Sequence, residues 1–308
     1  MPHTTPALPP EITVLERGWL SANNVLFLGR DATALVDSGY CANAGQTVAL
    51  VESCLGGRPL DLLLNTHLHS DHCGGNAALQ ARWPALQTLI PPGQWAQVQD
   101  WDPVALSYQP TGQDCPRFRA DARLMPGSEV RLGDRTWQVH AAPGHDSHAV
   151  LLFEPASGLL ISGDALWENG FGVIFPELLG EADGLASTRA TLEMLSRLPL
   201  DVVIPGHGSP FAAVDAVFER AFRRVDSFSA DIDKLAWHAI KVIVSFAMLE
   251  KRRLPAADFP AFLLALPFAV DVNRRYVGLS EDQLAARIER ELLLVNALRR
   301  EDGFLVAG

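Results

Sequence analysis

The fold is decided by one stretch of the chain, Thr66-His67-Leu68-His69-Ser70-Asp71-His72-Cys73-Gly74-Gly75. It follows residues 61–65, a short and continuous apolar run that is typical of a buried strand. His67 and His69 are two residues apart, so both imidazoles point to the same side of an extended chain. Asp71 and His72 lie where the chain turns into a helix, and they can face the same cavity from another direction. Four nitrogen and oxygen donors within six residues match the ligand preferences of zinc and related divalent ions, so this stretch predicts a metal site.

Three further segments place a metal-binding side chain directly after a predicted strand: Pro143-Gly144-His145, Gly163-Asp164 and Pro205-Gly206-His207-Gly208. In each segment the glycine lets the backbone bend tightly, so that the side chain beside it can enter a common cleft. Each segment by itself is typical of an ordinary turn. Together with residues 66–75, they predict that His145, Asp164 and His207 converge on one site.

The predicted strands come in two runs, each followed by helices, which indicates two sheets sandwiched between helical layers. The first run lies before residue 66 and the second between residues 129 and 204. From residue 212 onward the pattern changes to almost pure helix. Ser280 with Gln283 resembles a capping box, and the helix that it begins is predicted to continue through Leu298 and to stop at Gly303. We therefore predict two domains, at residues 1–211 and 212–308.

In this order the four segments resemble the metallo-β-lactamase superfamily, whose signature is HxHxDH followed by separate His, Asp and His ligands after successive strands. The resemblance covers roughly residues 12–210. It includes Leu35-Val36-Asp37-Ser38-Gly39, which is similar to the family's early Asp-x-Gly strand end. In that family the aspartate, here Asp37, supports the metal centre without being a ligand. The resemblance implies an α/β fold, the αββα sandwich, with a dinuclear metal site at one edge and the C-terminal helices as an extension.

The same resemblance implies which residues hold the metals. His67, His69 and His145 would hold the first ion, Asp71, His72 and His207 the second, and Asp164 would bridge them. Two divalent ions, most simply zinc with iron or manganese as alternatives, can share a hydroxide that attacks a carbonyl carbon at neutral pH. Asp164 and Asp71 would then be the catalytic carboxylates, with Asp71 orienting the nucleophile. For His148 two roles stay open: a hydrogen bond to a ligand or substrate, or a cap on the next strand. Cys73 is expected to be a small buried packing residue.

The composition limits which classes of binding partner and which cellular compartment we expect. With 25 Lys+Arg against 36 Asp+Glu the formal charge is -11, which argues against binding to nucleic acid or to an anionic membrane face. The first ten residues lack the features of a signal peptide, and the four cysteines have no paired spacing, so we expect a cytoplasmic protein with reduced thiols. The most apolar helical stretch, residues 235–249, is interrupted by His238 and Lys241 and is too short to span a bilayer, so no membrane segment is expected.

Residues near Asp164 narrow the substrate class. Residues 163–172 look like the segment of glyoxalase II that carries the bridging ligand. At the positions where those enzymes carry the residues that hold glutathione, however, this chain has Val173 and Phe175. Trp167 stands where acyl-homoserine lactonases often carry a catalytic tyrosine. Trp167, Phe171 and Phe175 are either ordinary core or the lining of a cleft for an apolar acyl group. The tail loosely resembles that of a thioesterase with added C-terminal helices.

These features predict a hydrolase of a small-molecule ester, thioester or lactone. Two alternatives stay open: a mononuclear iron enzyme similar to the persulfide dioxygenases, and a protein with a vestigial metal site whose helical tail binds a partner.

Two segments outside the ligand motifs are also expected to contribute. Residues 102–126 contain four prolines and little periodicity, which indicates a long loop of the lid or binding type or a plain surface loop. In it, Tyr108 and Phe118 are candidates to contact substrate. The tail carries apolar stripes too extensive to leave in water. We expect the tail to form a helical layer beside the mouth of the site, to help define the acyl pocket and to form a homodimer contact.

Overall fold

The structure is a computed structural model of this 308-residue chain that describes residues 6–180, 183–213 and 215–308. The elements of the first part are β1 (Ile12–Leu15), β2 (Asn24–Leu28), β3 (Thr33–Val36), α1 (Ala44–Leu55), β4 (Leu62–Leu64), α2 (Ser70–Cys73), α3 (Asn76–Arg82), β5 (Gln87–Ile90), α4 (Trp95–Asp100), α5 (Tyr108–Thr111) and β6 (Ala122–Arg123). The elements of the second part are β7 (Glu129–Leu132), β8 (Arg135–Ala141), β9 (Val150–Glu154), β10 (Leu159–Gly163), α6 (Phe175–Leu179), α7 (Gly184–Leu195), β11 (Val202–Pro205) and β12 (Phe211–Ala212). The elements of the tail are α8 (Asp215–Ala230), α9 (Ile232–Lys251), β13 (Arg253–Pro255), α10 (Phe259–Leu264), α11 (Pro267–Val272), α12 (Glu281–Leu294), β14 (Leu298–Glu301) and β15 (Phe304–Ala307).

The strands form two six-stranded sheets, in the orders β1-β2-β3-β4-β5-β6 and β12-β11-β10-β9-β8-β7. In the first sheet β1 to β3 are antiparallel and β3 to β6 are parallel. In the second sheet β10 and β11 are the parallel pair. Because β4, β10 and β11 are all followed by predicted ligands, the strand order brings the ends of separate chain segments to one edge of the sandwich.

Three layers of buried side chains hold the sheets and helices together, and they confirm the predicted αββα sandwich. Between the sheets, Phe27 of the first sheet packs edge-to-face on Trp137 of the second, with ring centroids 5.4 Å apart. The opposite face of the first sheet is covered by α1 and α3, and that of the second sheet by α7 and the tail helices. The alternation of the strand side chains between two buried faces explains why β2, β3 and β10 are apolar almost throughout.

The tail shares one hydrophobic core with the second sheet. Leu151, Leu160 and Val203 of that sheet belong to the same cluster of buried side chains as Leu235 of α9 and Leu284 of α12. The apolar stripes of the tail are thus buried against this chain's own sandwich, with Val295 as an exception that is 68% exposed. The predicted boundary at 211/212 falls inside β12.

The end of the tail differs from the sequence expectation. The capping box of Ser280 and Gln283 is confirmed, but α12 ends at Leu294. Asn296 has a positive φ of 57°, which ends the helix, and Leu298 begins β14. Gly303, expected to stop the helix, lies in the turn between β14 and β15, which form a three-stranded sheet with β13. The expectation that the helix continues through Leu298 was therefore wrong, because β14 pairs with β15, which in turn pairs with the remote β13.

The segment 102–126 is more ordered than expected. It contains α5 and β6, and β6 extends the first sheet by pairing with β5. Tyr108 and Phe118 are 2% and 4% exposed, and both rings pack on Trp101. Because both side chains are core residues, the expectation that they contact substrate was wrong.

Within the described ranges, no single helix is both long and apolar enough to cross a bilayer. One bent pair of segments, 256–264 and 267–277, passes the same length and composition criteria only when the two are joined across a 74° bend.

Candidate metal centre

The structure brings the seven predicted ligands together at the edge where the strands end. They form three overlapping groups, within each of which the ligand atoms lie within 4.8 Å of one another. The first group is His67, His69 and His145, the second is Asp71, His72 and His207, and a third set, His67, His72 and Asp164, connects these two. Five of the seven are buried, whereas His69 and Asp71 are partly exposed and therefore face the mouth of the site.

The first group consists of three imidazole nitrogens that point at one another. His69 Nδ1 lies 3.1 Å from His67 Nε2 and 2.8 Å from His145 Nε2. The other ring nitrogen of His145, Nδ1, donates to the carbonyl of Val173, and Nδ1 of His67 lies 3.1 Å from the Thr66 hydroxyl. Since these outer nitrogens carry the protons, the inner nitrogens present lone pairs, as metal-ligating histidines do.

The second group contains Asp71 and His207, which come from distant parts of the chain. Asp71 Oδ2 lies 3.1 Å from His207 Nε2 and 3.9 Å from His72 Nε2. Two nitrogens and one carboxylate oxygen form a ligand set that suits zinc or another first-row divalent ion.

Asp164 lies between the two groups. Its Oδ2 is 3.4 Å from His145 Nε2 and 3.9 Å from His207 Nε2, and its Oδ1 is 3.3 Å from His72 Nε2. One carboxylate therefore reaches histidines of both groups, which is the placement that a bridging ligand requires.

Asp37 holds the cluster from behind. It accepts hydrogen bonds from Nδ1 of His72 at 2.8 Å and from the backbone N–H and hydroxyl of Thr66 at 2.9 and 2.8 Å. With Nδ1 protonated, Nε2 of His72 is left as a lone-pair donor. This nitrogen is buried and makes no hydrogen bond to any described residue. A buried polar atom without a partner is costly, and a metal ion at the centre of the cluster would satisfy it.

Two glycines at the site have different roles. Gly163 has a φ of 50°, which turns the chain sharply before Asp164. Gly206 is required for space, because a Cβ there would lie 2.2 Å from Asp164 Oδ1. Gly206 was predicted to let the chain bend, and the structure shows that it permits the close approach of β10 and β11.

The electrostatics of the cluster favour a cation. Burial lowers the pKa of His69 and of His145 to about 4, and that of His67 well below its ordinary value, so these imidazoles are neutral at pH 7. Burial opposes the ionisation of Asp164, but the imidazoles of His72 and His207 hold the pKa of that carboxyl well below its usual range. Burial opposes protonation of His72, but the carboxylates of Asp164, Asp37 and Asp71 hold its pKa well above its ordinary value, so without a metal ion this imidazole carries a proton. A divalent ion would take the place of that proton beside the ionised carboxylates.

Two aromatic pairs border the cluster. Trp19 is 62% exposed and stacks on the His207 ring, with centroids 5.4 Å apart and planes at 11°, and Trp167 contacts both rings edge-on. On the other side, Phe175 lies 5.2 Å from the His69 ring, and Phe268 of α11 lies 5.4 Å from Phe175. Trp19 has no motif around it, and sequence reasoning missed it.

The side chain of Phe171 is not exposed toward the ligand cluster. It is 1% exposed and packs between Phe228 and Arg224 of α8, so it is a core residue, one of the two roles that the sequence left open. Cys73 is fully buried, and its thiol donates to backbone carbonyls, as expected of a packing residue.

His148 does not take the first of the two roles that the sequence left open, a hydrogen bond to a metal ligand. Its side chain is exposed and its ring lies against Gly93, and the described residues give it no contact with the ligands. Its backbone N–H instead donates to Asp146 at 2.6 Å, and Asp146 Oδ2 lies 3.7 Å from His69 Nε2. Asp146 therefore lies beside the ligand His69, a position that was open to His148, because the turn after His145 directs the side chain of residue 146 inward.

Comparisons with known proteins identify proteins that are similar to this chain in sequence and in fold. The family model for the Metallo-beta-lactamase superfamily matches residues 17–207. Hydroxyacylglutathione hydrolase of Xanthomonas euvesicatoria pv. vesicatoria (strain 85-10) is 34% identical over 131 residues, which are 41% of this chain and 42% of that protein. Acyl-coenzyme A thioesterase MBLAC2 of Gallus gallus is 26% identical over 205 residues, 63% of this chain and 72% of that protein. The crystal structure of a beta-lactamase domain protein from Burkholderia ambifaria superposes with a TM-score of 0.60 and 25% identity, covering 99% of this chain and 94% of that chain. The chain thus spans less than half the length of the first of these relatives.

Proposed function

Because this chain belongs to the metallo-β-lactamase superfamily, we propose that it is a metal-dependent hydrolase of a small-molecule thioester, ester or lactone. The observation that carries the proposal is the position of Asp164, whose carboxylate reaches both histidine groups. The seven ligands would hold two divalent ions, zinc being the first choice for this set of nitrogen and oxygen donors. When bound, such a pair supplies a hydroxide nucleophile at neutral pH and polarises a carbonyl.

The chain's own residues have distinct roles in this proposal. The side chain of Asp71 is 15% exposed, whereas those of Asp164 and Asp37 are 5% and 4% exposed. Asp71 is therefore the carboxylate of these three that an entering nucleophile can reach, and it would accept its hydrogen bond and orient it. Asp37 would keep the proton of His72 on Nδ1, so that Nε2 stays available as a ligand.

The borders of the cluster favour an apolar acyl group. Phe175 places aromatic carbon beside His69, and the buried ring of Phe268, which belongs to the tail, packs against Phe175. The tail would therefore support the acyl pocket through Phe175. The side chain of Val173 is 4% exposed, and its carbonyl binds His145, so this position offers no anchor for a glutathione carboxylate. Of the substrate types named for the two relatives, an acyl thioester with an apolar acyl group fits these residues better than a hydroxyacylglutathione.

The alternative in which the tail binds a partner has less support. Most of the large apolar side chains of α9 to α12 are buried in the core that the tail shares with the second sheet. We nonetheless propose a homodimer, supported by the adjacent exposed side chains of Leu294 and Val295, which are 74% and 68% exposed. The cytoplasm remains our proposed compartment, supported by the four free cysteines. Light scattering of the wild type and of Leu294→Ser would test the dimer.

The decisive experiment combines elemental analysis with a substrate panel. Protein purified from zinc-, iron- and manganese-supplemented cultures is analysed for metal content and assayed with acyl-CoA, acylglutathione, aryl ester and lactone substrates. We expect two ions per chain and the highest kcat/KM on an apolar thioester or ester. A protein that binds at most a trace of metal, or that binds two ions and hydrolyses none of the four classes, would contradict the proposal.

A further inference from the structure

Two cysteines face each other directly behind the ligand motif. Cys73 is the last residue of α2 and follows His72, and its side chain is fully buried. Cys115 lies on the segment between α5 and β6 and is partly exposed. Their Sγ atoms are 3.8 Å apart, and both are free thiols.

Both cysteines are held in place by other contacts. The Cys73 thiol donates to the carbonyls of Leu68 and His69 at 3.4 and 3.3 Å, which lie inside the ligand motif. The segment that carries Cys115 is fixed to α2, because the Ser70 hydroxyl donates to the side chain of Gln113. The proximity of the two thiols is thus a consequence of how this segment packs on α2.

We propose that Cys73 and Cys115 form a reversible redox-modification site for hydroperoxides. The sulfur of Cys115, the more accessible of the two, attacks a hydroperoxide oxygen, the O–O bond breaks, and the products are a sulfenic acid and water or an alcohol. The sulfur of Cys73 then attacks the sulfenic sulfur. The S–S bond forms, the S–O bond breaks, and the oxygen leaves as water with the Cys73 proton. The two thiols lose two electrons and the hydroperoxide gains them.

The disulfide would change the metal site. A disulfide has an S–S length of about 2.05 Å, so the sulfurs would have to approach each other by roughly 1.8 Å from their 3.8 Å separation. Cys73 is covalently attached to His72, and its thiol also binds the carbonyl of His69, so a shift of Cys73 would displace both ligands. We expect the oxidised protein to bind metal about 10- to 100-fold more weakly, the range found when groups that support metal ligands are lost.

The test uses the full-length, metal-loaded protein treated with hydrogen peroxide. Blocking of free thiols followed by peptide mass spectrometry should identify a Cys73–Cys115 disulfide, and a chromogenic chelator should report released metal. Dithiothreitol with added metal should reverse both changes. Cys115→Ser should keep its metal under peroxide. Cys54→Ser, which alters a cysteine on α1, is the matched control and should behave as the wild type. Cys41→Ser tests whether Cys41 is the partner instead.

Oxidation should also lower turnover, and this expectation rests on the proposed hydrolase activity. Metal release rests only on the metal centre, and disulfide formation rests on neither. If the reduced protein hydrolyses no substrate but peroxide still links Cys73 to Cys115 and releases metal, the proposed function fails and this inference stands. Absence of the disulfide, formation of a Cys41 disulfide in its place, metal release from Cys115→Ser equal to that of the wild type, or a disulfide without metal release would each overturn the inference.

Discussion

The indole N–H of Trp167 donates a hydrogen bond to Oδ1 of Asp164 across 3.2 Å. The same Trp167 ring lies against the ring of His207, with centroids 5.4 Å apart. Trp167 therefore orients the carboxylate that reaches both histidine groups and also packs on a histidine of the second group. The sequence left Trp167 as either a core residue or part of the substrate cleft, and this hydrogen bond gives it a further role beside the ligand cluster.

Trp167→Phe should weaken the metal site without unfolding the protein. Phenylalanine keeps an aromatic ring beside His207 but removes the donor to Asp164. We expect the metal affinity to fall by about 10-fold, as measured by competition with a chelator of known affinity. Trp19→Phe is the matched control, because Trp19 stacks on His207 and, within the described residues, its indole donates no hydrogen bond to a metal ligand. Equal metal affinities for Trp167→Phe and the wild type would show that the hydrogen bond has no such role.

Asp164→Asn and His69→Ala should each lower kcat/KM by at least about 100-fold on the best substrate of the panel. The first change removes one negative oxygen from the position between the groups, and the second removes the nitrogen that faces both His67 and His145. Circular dichroism should show that the fold persists. His140→Gln serves as control, because His140 lies on β8 outside the ligand groups. Near wild-type turnover in Asp164→Asn at matched metal content would contradict the mechanism.

Phe268→Ala should reduce kcat/KM for an apolar acyl thioester by about 10-fold, because Phe175 loses the ring that packs against it and an apolar contact in a pocket is worth about 1–3 kcal/mol. The value for an acetyl thioester should change little, since a short acyl group would not reach the Phe175–Phe268 pair. Phe262→Ala, which shortens a partly buried side chain on α10, controls for a general loss of stability. A uniform loss across acyl lengths would indicate that Phe268 has no part in acyl selection.

His238 should make the protein less stable in acid. Burial lowers the pKa of His238 to about 3, and Arg224, whose guanidinium donates to His238 Nε2 at 2.8 Å, disfavours the proton further. Between pH 6.5 and about 3 the unfolded chain binds a proton at this residue and the folded chain does not. The stability present above pH 6.5 is therefore lost as the pH falls, with a slope from this group approaching about 1.4 kcal/mol per pH unit.

The measurement is urea unfolding of metal-free protein at pH 7, 6 and 5. His238→Gln keeps a hydrogen-bond acceptor for Arg224 and cannot titrate, so the free energy of unfolding should fall less steeply with decreasing pH than in the wild type. Parallel curves for the two proteins would show that His238 is not the responsible group.

Truncation after Arg224 should give an aggregating or inactive protein. It removes α9 to α12, whose side chains share a core with Leu151, Leu160 and Val203 of the second sheet. At about 1.5 to 3 kcal/mol for each large buried side chain, exposure of this core costs more than the 5–15 kcal/mol that a domain has in net stability. Leu294→Ser, at a position that is 74% exposed, should leave solubility and activity unchanged. A soluble truncated protein with an unchanged substrate profile would refute a role for the tail.

The sequence by itself determined the chemistry of the site and the layers of the fold. The ligand motif and the three strand-end segments depend on local chemistry, because donor type and spacing limit which metals can bind. Strand and helix periodicity identified most of the sandwich, including the strands before residue 66 and those between residues 129 and 204. The capping box at Ser280 was predictable for the same reason, since both of its hydrogen bonds lie within four residues.

Only the tertiary structure decided which way side chains point after a turn and which remote segment they meet. Asp146 rather than His148 faces His69, and Trp19 covers His207 from a loop without any motif. Tyr108 is buried because the segment 102–126 packs on Cys73 and Trp101. Leu298 belongs to a strand because the hairpin of β14 and β15 forms a sheet with β13, which is remote in sequence. In each case the outcome depends on contacts between residues far apart in sequence, and a local pattern contains no information about which of those contacts the folded chain makes.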